Sequence, residues 1–270
     1  MKNAIVFFSL ASAIIALSAC TDYVAQMESD FEVWASQQGG TYQQGGDYSE
    51  WGSDELPPPS SSSTSYNTSS IVTGSLLDER DGQIYKTVLI GSQVWMAQNL
   101  NYASDFYMSY CYGGLSSNCS KYGRLYTWAA AMDSLGAFST NSKGCGYKTT
   151  CMPSYPVRGI CPSGWHLPDS TEWEKLFIVV AEDGQFANNL KSKTGWDGFG
   201  GVDKYGFSAL PAGYREWTGS YFDEGSKTTF YTSTERSSEY AYFISMGIGG
   251  GSLSWPYPKS SGYSVRCIQN

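Results

Sequence analysis

The residue types that could do chemistry are few in this sequence. His166 is the only histidine, so a site built on two histidines is excluded. It lies between Trp165 and Leu167 just before a helix start, a setting that favours a buried, hydrogen-bonded imidazole. A nucleophilic pair of Cys161 and His166 is the alternative, although a sulfur in a disulfide cannot form the attacking thiolate. The sequence contains neither a Gly-x-Ser-x-Gly elbow nor a Gly-rich phosphate loop followed by Lys.

Carboxylates in loop-rich sequence are the second candidate chemistry. Glycosidases place two carboxylates about 5–10 Å apart. Six acidic residues could supply such a pair: Asp197, Asp203, Glu216, Asp223, Glu224 and Glu235. The alternative is that they are solvated loop charges or partners of Arg215 or Arg266. The sequence does not fix which of them converge, and we predict no catalytic residue.

A calcium site is the one metal site that the sequence suggests. Asp197 and Asp203 enclose a Gly-rich stretch, and hard oxygen ligands on such turns suit Ca²⁺. The alternating acids of a regular calcium loop are missing, so a turn without an ion is favoured. We therefore predict no metal and no cofactor.

Aromatic side chains are the most abundant potential binding groups. The chain has 21 Tyr, 9 Trp and 12 Phe, and rings on loops can stack on sugars or anchor protein contacts with little loss of entropy. Four tryptophans are predicted to fill the core instead: Trp95, Trp128, Trp165 and Trp173. The candidate binding rings lie in loops of the second half: Tyr214, Trp217, Tyr221, Trp255 and Tyr257.

The first twenty residues predict export. Lys2 is followed by an apolar run over residues 4–17, which has the length of a secretory signal and is too short to span a membrane. The run ends in Leu17-Ser18-Ala19-Cys20, which resembles the lipobox of bacterial lipoproteins. That resemblance implies a signal peptide over residues 1–19 and acylation of Cys20, and several acyl chains anchor a protein stably. The alternative is a plain secretory signal with an incidental cysteine.

Residues 20–73 predict a disordered tether between the anchor and the domain. Residues 21–73 hold eight acids and no Lys or Arg, so the net charge of −8 belongs to this segment and the rest of the chain is nearly neutral. Their Gln-, Gly-, Pro- and Ser-rich composition cannot bury enough apolar surface to offset chain entropy. An acidic recognition tail is the alternative. A general nucleic-acid binder is excluded, because phosphate binding needs clustered Lys and Arg.

The six cysteines beyond Cys20 predict disulfides, because the chain is exported. Pairs that are close in sequence are expected to staple local loops. The remaining two would close a loop of about 100 residues, worth roughly 4–5 kcal/mol in chain entropy. A metal site is disfavoured, since the CxxC spacing is absent. The predicted pairs are Cys111 with Cys119, Cys145 with Cys151, and Cys161 with Cys267.

Residues 74–270 are long enough to form a single domain. Helical spacing predicts helices over residues 123–135 and 169–182, the second with a capping box of Asp169 and Glu172, and a shorter helix over residues 185–191. Strand signals predict a hairpin of Ile84–Ile90 and Gln93–Met96, and further strands over residues 207–210, 230–232, 241–248 and 263–268. The predicted fold class is α+β, with a small antiparallel sheet, two main helices, long loops and disulfides.

Several stretches, in order along the chain, resemble one bacterial family. They are Asp81-Gly-Gln-Ile-Tyr, Val94-Trp-Met-Ala-Gln-Asn-Leu-Asn-Tyr, Gly123-Arg-Leu-Tyr-Thr-Trp, Cys161-Pro-Ser-Gly-Trp-His-Leu-Pro, Tyr205-Gly-Phe-Ser-Ala-Leu-Pro-Ala-Gly-Tyr-Arg, Ser233-Thr-Glu and Ser264-Val-Arg-Cys. Together they resemble the Fibrobacter succinogenes major paralogous (FISUMP) domain and cover residues 76–269. The resemblance implies a surface or secreted bacterial protein, often a lipoprotein.

A more distant likeness is structural. Residues 165–174, taken with Val265-Arg-Cys, resemble a pattern of formylglycine-generating enzymes, which have a C-type-lectin-like fold. This resemblance implies terminal strands paired near Ile84 and Ser264, a helix after His166 and a loop-rich ligand face. The sequence lacks the reactive cysteine pair of those enzymes and the calcium motifs of sugar-binding lectins, so the fold carries over and the activity does not.

These features together predict a lipid-anchored protein of the bacterial cell envelope, at the outer membrane or cell surface. Its domain is expected to be a non-catalytic binding module, with a glycan, another surface polymer or a protein as ligand and no nucleic acid. The alternatives are an enzyme of the formylglycine-generating or glycan-modifying type and a purely structural envelope protein.

Overall fold

The computed structural model describes residues 71–181, 185–198, 200–247 and 250–270, without the side chains of residues 252–256. The predicted signal peptide over residues 1–19, the predicted acylation site Cys20 and the tether up to residue 70 lie outside the described residues. In the described part, no helix is both long and apolar enough to cross a membrane.

The first sheet is built on the predicted hairpin, which is confirmed. β2 (Ile84–Ile90) and β3 (Gln93–Met96) pair antiparallel around a two-residue turn at Gly91, whose φ of +60° suits such a turn. β1 (Thr73–Leu77) pairs with the outer edge of β2 and begins one residue before the predicted domain start. β6 (Trp165–His166) and β12 (Ile268–Gln269) complete the order β1-β2-β3-β12-β6.

The C-terminal strand closes this sheet, but not at the predicted position. Ile268 pairs with Trp95 on one side and with His166 on the other. The expected pairing near Ile84 and Ser264 is wrong, because Ile84 pairs with Leu77 and Ser264 bridges Phe230 of the second sheet. The end of the chain therefore lies between two segments that are distant in sequence.

The second sheet contains five strands and is larger than the sequence predicts. Its order is β11 (Gly250–Pro258), β10 (Tyr240–Gly247), β9 (Lys227–Glu235), β7 (Ala212–Arg215) and β8 (Tyr221–Glu224). The pairing of β7 with β9 is parallel, and the others are antiparallel. A third, two-stranded sheet joins β4 (Ser109–Tyr110) to β5 (Leu125–Tyr126).

The predicted strands agree with the structure only in part. Residues 230–232 lie within β9 and residues 241–247 within β10, while residue 248 lies outside the described residues. Residues 207–210 form no strand and make a single bridge at Ala209, and residues 263–268 contribute isolated bridges before β12 begins. In both segments, the main chain pairs with distant residues at single positions and forms no continuous strand ladder. The local composition does not reveal this difference.

The helices confirm one main prediction and the short helix. α3 (Ser170–Val180) begins with the predicted capping box: the Asp169 carboxylate accepts from the Glu172 N–H at 2.9 Å, and the Glu172 carboxylate accepts from the Asp169 N–H at 3.0 Å. Its apolar stripe, Trp173, Leu176 and Val180, is buried. α4 (Phe186–Leu190) matches the short predicted helix.

The predicted helix over residues 123–135 is wrong over most of its length. Leu125 and Tyr126 form β5, and only Trp128–Ala131 (α2) is helical. The main-chain N–H of Tyr126 donates to Tyr263 O at 2.8 Å, so a bridge to the end of the chain replaces the helical bond. A helix that the sequence did not predict, α1 (Ser116–Tyr122), follows the 3-10 turn Tyr112–Gly114.

All three predicted disulfides are confirmed. Cys111–Cys119 and Cys145–Cys151 link residues eight and six positions apart, and Cys161–Cys267 spans 106 positions. The last bridge joins the segments that lead into β6 and β12, and both of its cysteines are fully buried.

The core has two clusters of large aromatic side chains. The four tryptophans predicted to be buried have exposed fractions of 0–6%. Trp128 lies with Tyr231 and Tyr263 in one cluster, and Trp95 packs on Trp173 in the other with ring centroids 4.6 Å apart. The architecture is therefore α+β, with few helices, mainly antiparallel sheets and three disulfides.

Candidate functional site

The hairpin of β7 and β8 carries three of the five predicted binding rings. Tyr214 is opposite Phe222, and Arg215 is opposite Tyr221. Because neighbouring residues of a strand point to opposite faces, the first pair lies on one face of the hairpin and the second on the other. Trp217 lies in the turn between the strands and is 59% exposed.

The face with Tyr214 continues onto β11 through Tyr257. The rings of Tyr214 and Tyr257 are 6.5 Å apart, and both pack on the buried ring of Tyr263 at 6.0 Å and 6.4 Å. Phe222 lies 5.7 Å from Tyr214 and is 41% exposed. Burial, with smaller contributions from Tyr257 and nearby carboxylates, raises the pKa of Tyr214 to about 12, so its phenol stays neutral. We call Tyr214, Trp217, Phe222 and Tyr257 the hairpin surface.

Polar groups lie at the rim of the hairpin surface. Glu216 accepts hydrogen bonds from the hydroxyls of Thr218 at 2.8 Å and Tyr257 at 3.4 Å. The turn itself is closed by main-chain bonds between Glu216 and Ser220 and from the N–H of Gly219 to Glu216 O. The surface thus combines aromatic faces with oxygen acceptors on a closed turn.

The remaining predicted rings do not all share this face. Tyr221 lies on the opposite face, where its ring is 5.2 Å from that of Tyr112, and the guanidinium of Arg215 stacks on Tyr110 at 4.0 Å. The side chain of Trp255 lies outside the described part. Phe222 belongs to the hairpin surface and was missed, although the alternation on both sides of the turn at Gly219 could have identified it.

Most of the candidate carboxylates have structural partners. Asp203 accepts from the main-chain N–H and the hydroxyl of Ser208, at 2.8 Å and 2.6 Å. Asp197 is exposed and lies against Gly225. Glu235 pairs with the buried Lys259, and Asp223 lies 3.9 Å from Lys227. Among the described residues, no group of three His, Cys, Asp or Glu side chains could hold a metal ion.

Arg266 shows how the Asp203 loop is tied to the core. Its guanidinium is fully buried and donates to Asn99 Oδ1 at 2.8 Å and Ser208 O at 2.9 Å, and also to Phe207 O. Burial lowers the pKa of Arg266 to about 9, against a smaller opposing effect of Asp203. Asp203 therefore orders the loop that supplies these carbonyl oxygens.

His166 has the buried, hydrogen-bonded setting predicted for it. Nδ1 lies 2.7 Å from Asn270 Oδ1, and Nε2 lies 2.8 Å from Glu172 Oε1. Cys161 is in a disulfide, so the alternative Cys161/His166 pair has no thiolate. The Glu172 carboxylate that bonds His166 also completes the capping box of α3.

The single histidine predicts a pH dependence of stability. Burial disfavours the imidazolium, but the hydrogen bonds and charge of Glu172, with Asn270 and Asp169, outweigh it and raise the pKa of His166 above 6.5. The folded state therefore binds the proton more tightly than the unfolded chain. The resulting stability should be complete below pH 6.5 and lost as the pH rises through the folded pKa.

Urea unfolding across the neutral pH range measures this effect, and His166→Gln is the control, because the chain then contains no histidine. The wild-type free energy of unfolding should fall with rising pH, while the variant stays level. An equal slope in both proteins would contradict the assignment.

The structure also contains a polar cavity that the sequence did not predict. None of its lining residues belongs to the hairpin surface. Its volume is about 420 Å³, and it is lined by Phe138, Ser139, Thr140, Asn141, Pro156, Arg158, His166 and Asn270. The lining comes from separate parts of the chain, so no single motif marks it.

Comparison with known proteins identifies one family. The family model described as the Fibrobacter succinogenes major domain matches residues 88–269, from β2 to β12. This match covers more than half of the chain and includes the second five-stranded sheet and the first one without β1 and the start of β2. No curated protein and no solved structure matches the chain.

Proposed function

The chain belongs to the Fibrobacter succinogenes major domain family, and on that basis we propose that it is a lipid-anchored envelope protein whose domain binds a glycan or another surface polymer without catalysis. The observation that carries the proposal is the exposed Trp217 in the turn of the hairpin whose strands carry Tyr214 and Phe222. The anchor, the ligand class and the absence of catalysis are all parts of the proposal.

The hairpin surface has the physical properties of a stacking platform. Tyr214 and Tyr257 are held by Tyr263, so they lose little conformational entropy when a ligand packs on them. Trp217 and Phe222 expose apolar rings to water, and contact with the apolar face of a sugar would remove part of that surface from water. Grouped exposed rings of this kind favour an interaction site.

The rim favours a hydroxyl-rich ligand. The carboxylate of Glu216 and the hydroxyls that it binds, on Thr218 and Tyr257, place hydrogen-bonding oxygens next to the rings. A sugar presents hydroxyls around the edge of an apolar face, so it can use both kinds of group at once.

The proposed anchor is the acylated Cys20, with residues 20–73 as the tether. Its support is the lipobox-like Leu17-Ser18-Ala19-Cys20 after an apolar run. Metabolic palmitate labelling of the full chain tests it, with Cys20→Ser as the control that should lose the label.

We also propose that the domain has a C-type-lectin-like fold. The supporting features are the C-terminal strand beside β3, the Cys161–Cys267 bridge next to it, and α3 directly after His166. A formylglycine-generating activity would need a reactive cysteine pair, whereas the six cysteines of the described part are all in disulfides.

Replacing Trp217 by Ala should weaken retention on the bound polysaccharide about tenfold, because the loss of an aromatic side chain that packs on a ligand costs about 1.4 kcal/mol or more. The full chain is tested in pull-downs with the neutral polysaccharides cellulose and amylose. Trp217→Phe keeps a ring and should keep most of the retention. Tyr147→Ala removes an exposed ring elsewhere and should change nothing.

Two results would contradict the proposal. One is that the wild-type chain is retained on none of these polysaccharides. The other is that Trp217→Ala and Tyr147→Ala are retained equally well.

A further inference from the structure

The polar cavity is lined by Arg158, whose guanidinium forms no salt bridge with the residues that the structure describes. Arg158 is partly buried; its Nε donates to Cys161 O at 3.3 Å and its Nη1 donates to Phe138 O at 2.6 Å. These two carbonyl oxygens fix the guanidinium plane but carry no full charge. Arg158 forms no ion pair with the residues that the structure describes, and its Nη2 has no hydrogen-bond partner among them.

Asp78 and Asp133 attract the Arg158 guanidinium without contact, and Arg80 repels it; both carboxylates are hydrogen-bonded to other groups. Asp78 binds Arg80 through both oxygens, at 2.8 Å and 2.7 Å. Asp133 accepts from the main-chain N–H groups of residues 137–139 and from the hydroxyl of Tyr107. A guanidinium binds an incoming carboxylate strongly, because both hydrogen-bonding groups carry a full charge. Arg158 therefore has the donor geometry for an anionic group that enters the cavity.

The second basic group of the lining is already balanced. His166 faces the Glu172 carboxylate through Nε2 and the Asn270 amide through Nδ1. Its protonated form is stabilised by these partners and by Asp169, so the pair adds no negative charge to the cavity when the imidazole is protonated. Arg158 is then the cationic side chain of the lining that has no carboxylate partner among the described residues.

The other walls of the cavity suit a sugar ring. Phe138 provides an aromatic wall, and the rings of Tyr102, Phe106 and Tyr107 pack on it with centroids 5.8–6.4 Å away. On the polar side, Thr140 presents an exposed hydroxyl, while Ser139 and Asn141 are bonded to each other. The volume of about 420 Å³ is within the usual range for small-molecule sites.

We propose that this cavity is a binding site for a carboxylated sugar of the hexuronate class, with Arg158 binding the carboxylate and Phe138 packing on the ring. The carboxylate of one hexuronate residue would meet Arg158, and the apolar face of its ring would meet Phe138. Thr140 is the donor or acceptor for a ring hydroxyl. The site shares no residue with the hairpin surface, so its test is independent of the test of the proposed function.

The test is calorimetric titration of the full chain with galacturonate and glucuronate, and with galactose and glucose as matched neutral sugars. Each acid is expected to bind at least tenfold more tightly than its neutral counterpart. An oligogalacturonide distinguishes a chain ligand from a free sugar, and inorganic phosphate tests whether any anion suffices. Affinity for phosphate equal to that for the acids would overturn the sugar assignment.

Three variants locate the site. Arg158→Gln should lower the affinity for the acids at least tenfold, with little effect on the weak affinity for neutral sugars. Thr140→Val, at an exposed position, should lower the affinity for the acids by a smaller factor without affecting folding. Trp217→Ala should leave the affinity for the acids unchanged. That result would distinguish binding in this cavity from binding at the hairpin surface.

The unfolding midpoint of Arg158→Gln is measured alongside, because this side chain also holds Phe138 O and Cys161 O. Wild-type affinity in a folded Arg158→Gln protein would overturn the proposal. If that variant does not fold, unchanged affinity in Thr140→Val would overturn it instead. Equal binding of acidic and neutral sugars by the wild-type chain would do so as well.

Discussion

Removing the Cys161–Cys267 disulfide, in the variant Cys161→Ala/Cys267→Ala, is expected to lower the free energy of unfolding by about 4–5 kcal/mol. The bridge spans 106 positions, so its loss restores a large chain entropy to the unfolded state. Both cysteines are fully buried, and the replaced sulfur atoms leave space in the core. Urea unfolding under non-reducing conditions, followed by tryptophan fluorescence, measures the change.

The matched control is Cys111→Ala/Cys119→Ala, which removes a bridge between residues only eight positions apart. The same entropy argument gives a smaller loss, about 2–3 kcal/mol. Equal losses for the two variants would show that loop length does not govern the stabilisation. That result would contradict the larger stabilising effect expected of the long bridge between the β6 and β12 segments.

Replacing Lys259 by Met is expected to cost about 3–5 kcal/mol of stability, because it leaves the partly buried carboxylate of Glu235 without its cationic partner. The ammonium group of Lys259 is completely buried; it pairs with Glu235 and donates to the main-chain oxygens of Gly146, Thr149 and Ser238. It also lies 4.4 Å from the ring of Trp128. Methionine has a similar length but donates no hydrogen bond, so these acceptors would lose their donor.

A double-mutant cycle tests this assignment. Glu235→Gln removes the carboxylate charge, and the double variant Lys259→Met/Glu235→Gln should be more stable than Lys259→Met alone. Glu235 also accepts from the N–H of Cys151 at 2.8 Å, so the pair holds the Cys145–Cys151 loop against β9. Additive losses in the two single variants would contradict a direct coupling between the two side chains.

Local features of the fold could be predicted because their signals lie within a few residues. The capping box needs only Asp169 and Glu172, and the first hairpin needs only a two-residue turn between β-rich segments. The short disulfides follow from proximity in sequence, and the long one then follows from the two cysteines that remain. In each case the interacting groups are neighbours, or no alternative partner is left.

Other predictions were wrong because contacts with residues far away in the sequence determine the local structure. Leu125 and Tyr126 fit a helical stripe, but Tyr126 bonds to Tyr263 and becomes a strand. β9 is buried on both faces, yet it is rich in hydroxyl residues such as Thr228, Thr229 and Ser233, so its composition hides its central position. Only residues 230–232 of this strand were predicted.

The candidate site was likewise predicted in part from the sequence and determined in part by the tertiary structure. The sequence identified the rings Tyr214, Trp217 and Tyr257, but the strand pairing put Tyr221 on the opposite face and added Phe222. The cavity around Arg158 was not predicted, because its walls come from segments that no spacing rule connects.

The sequence alone determined the family motifs, the helix cap, the first hairpin and the cysteine pairs, since each depends on residue types at short range or on their order along the chain. The tertiary structure decided which rings share a face and where the buried charges Lys259 and Arg266 find their partners. It also decided that Arg158 faces a cavity. These outcomes depend on contacts between residues far apart in the chain, whose burial and hydrogen bonding exist only after both sheets have formed.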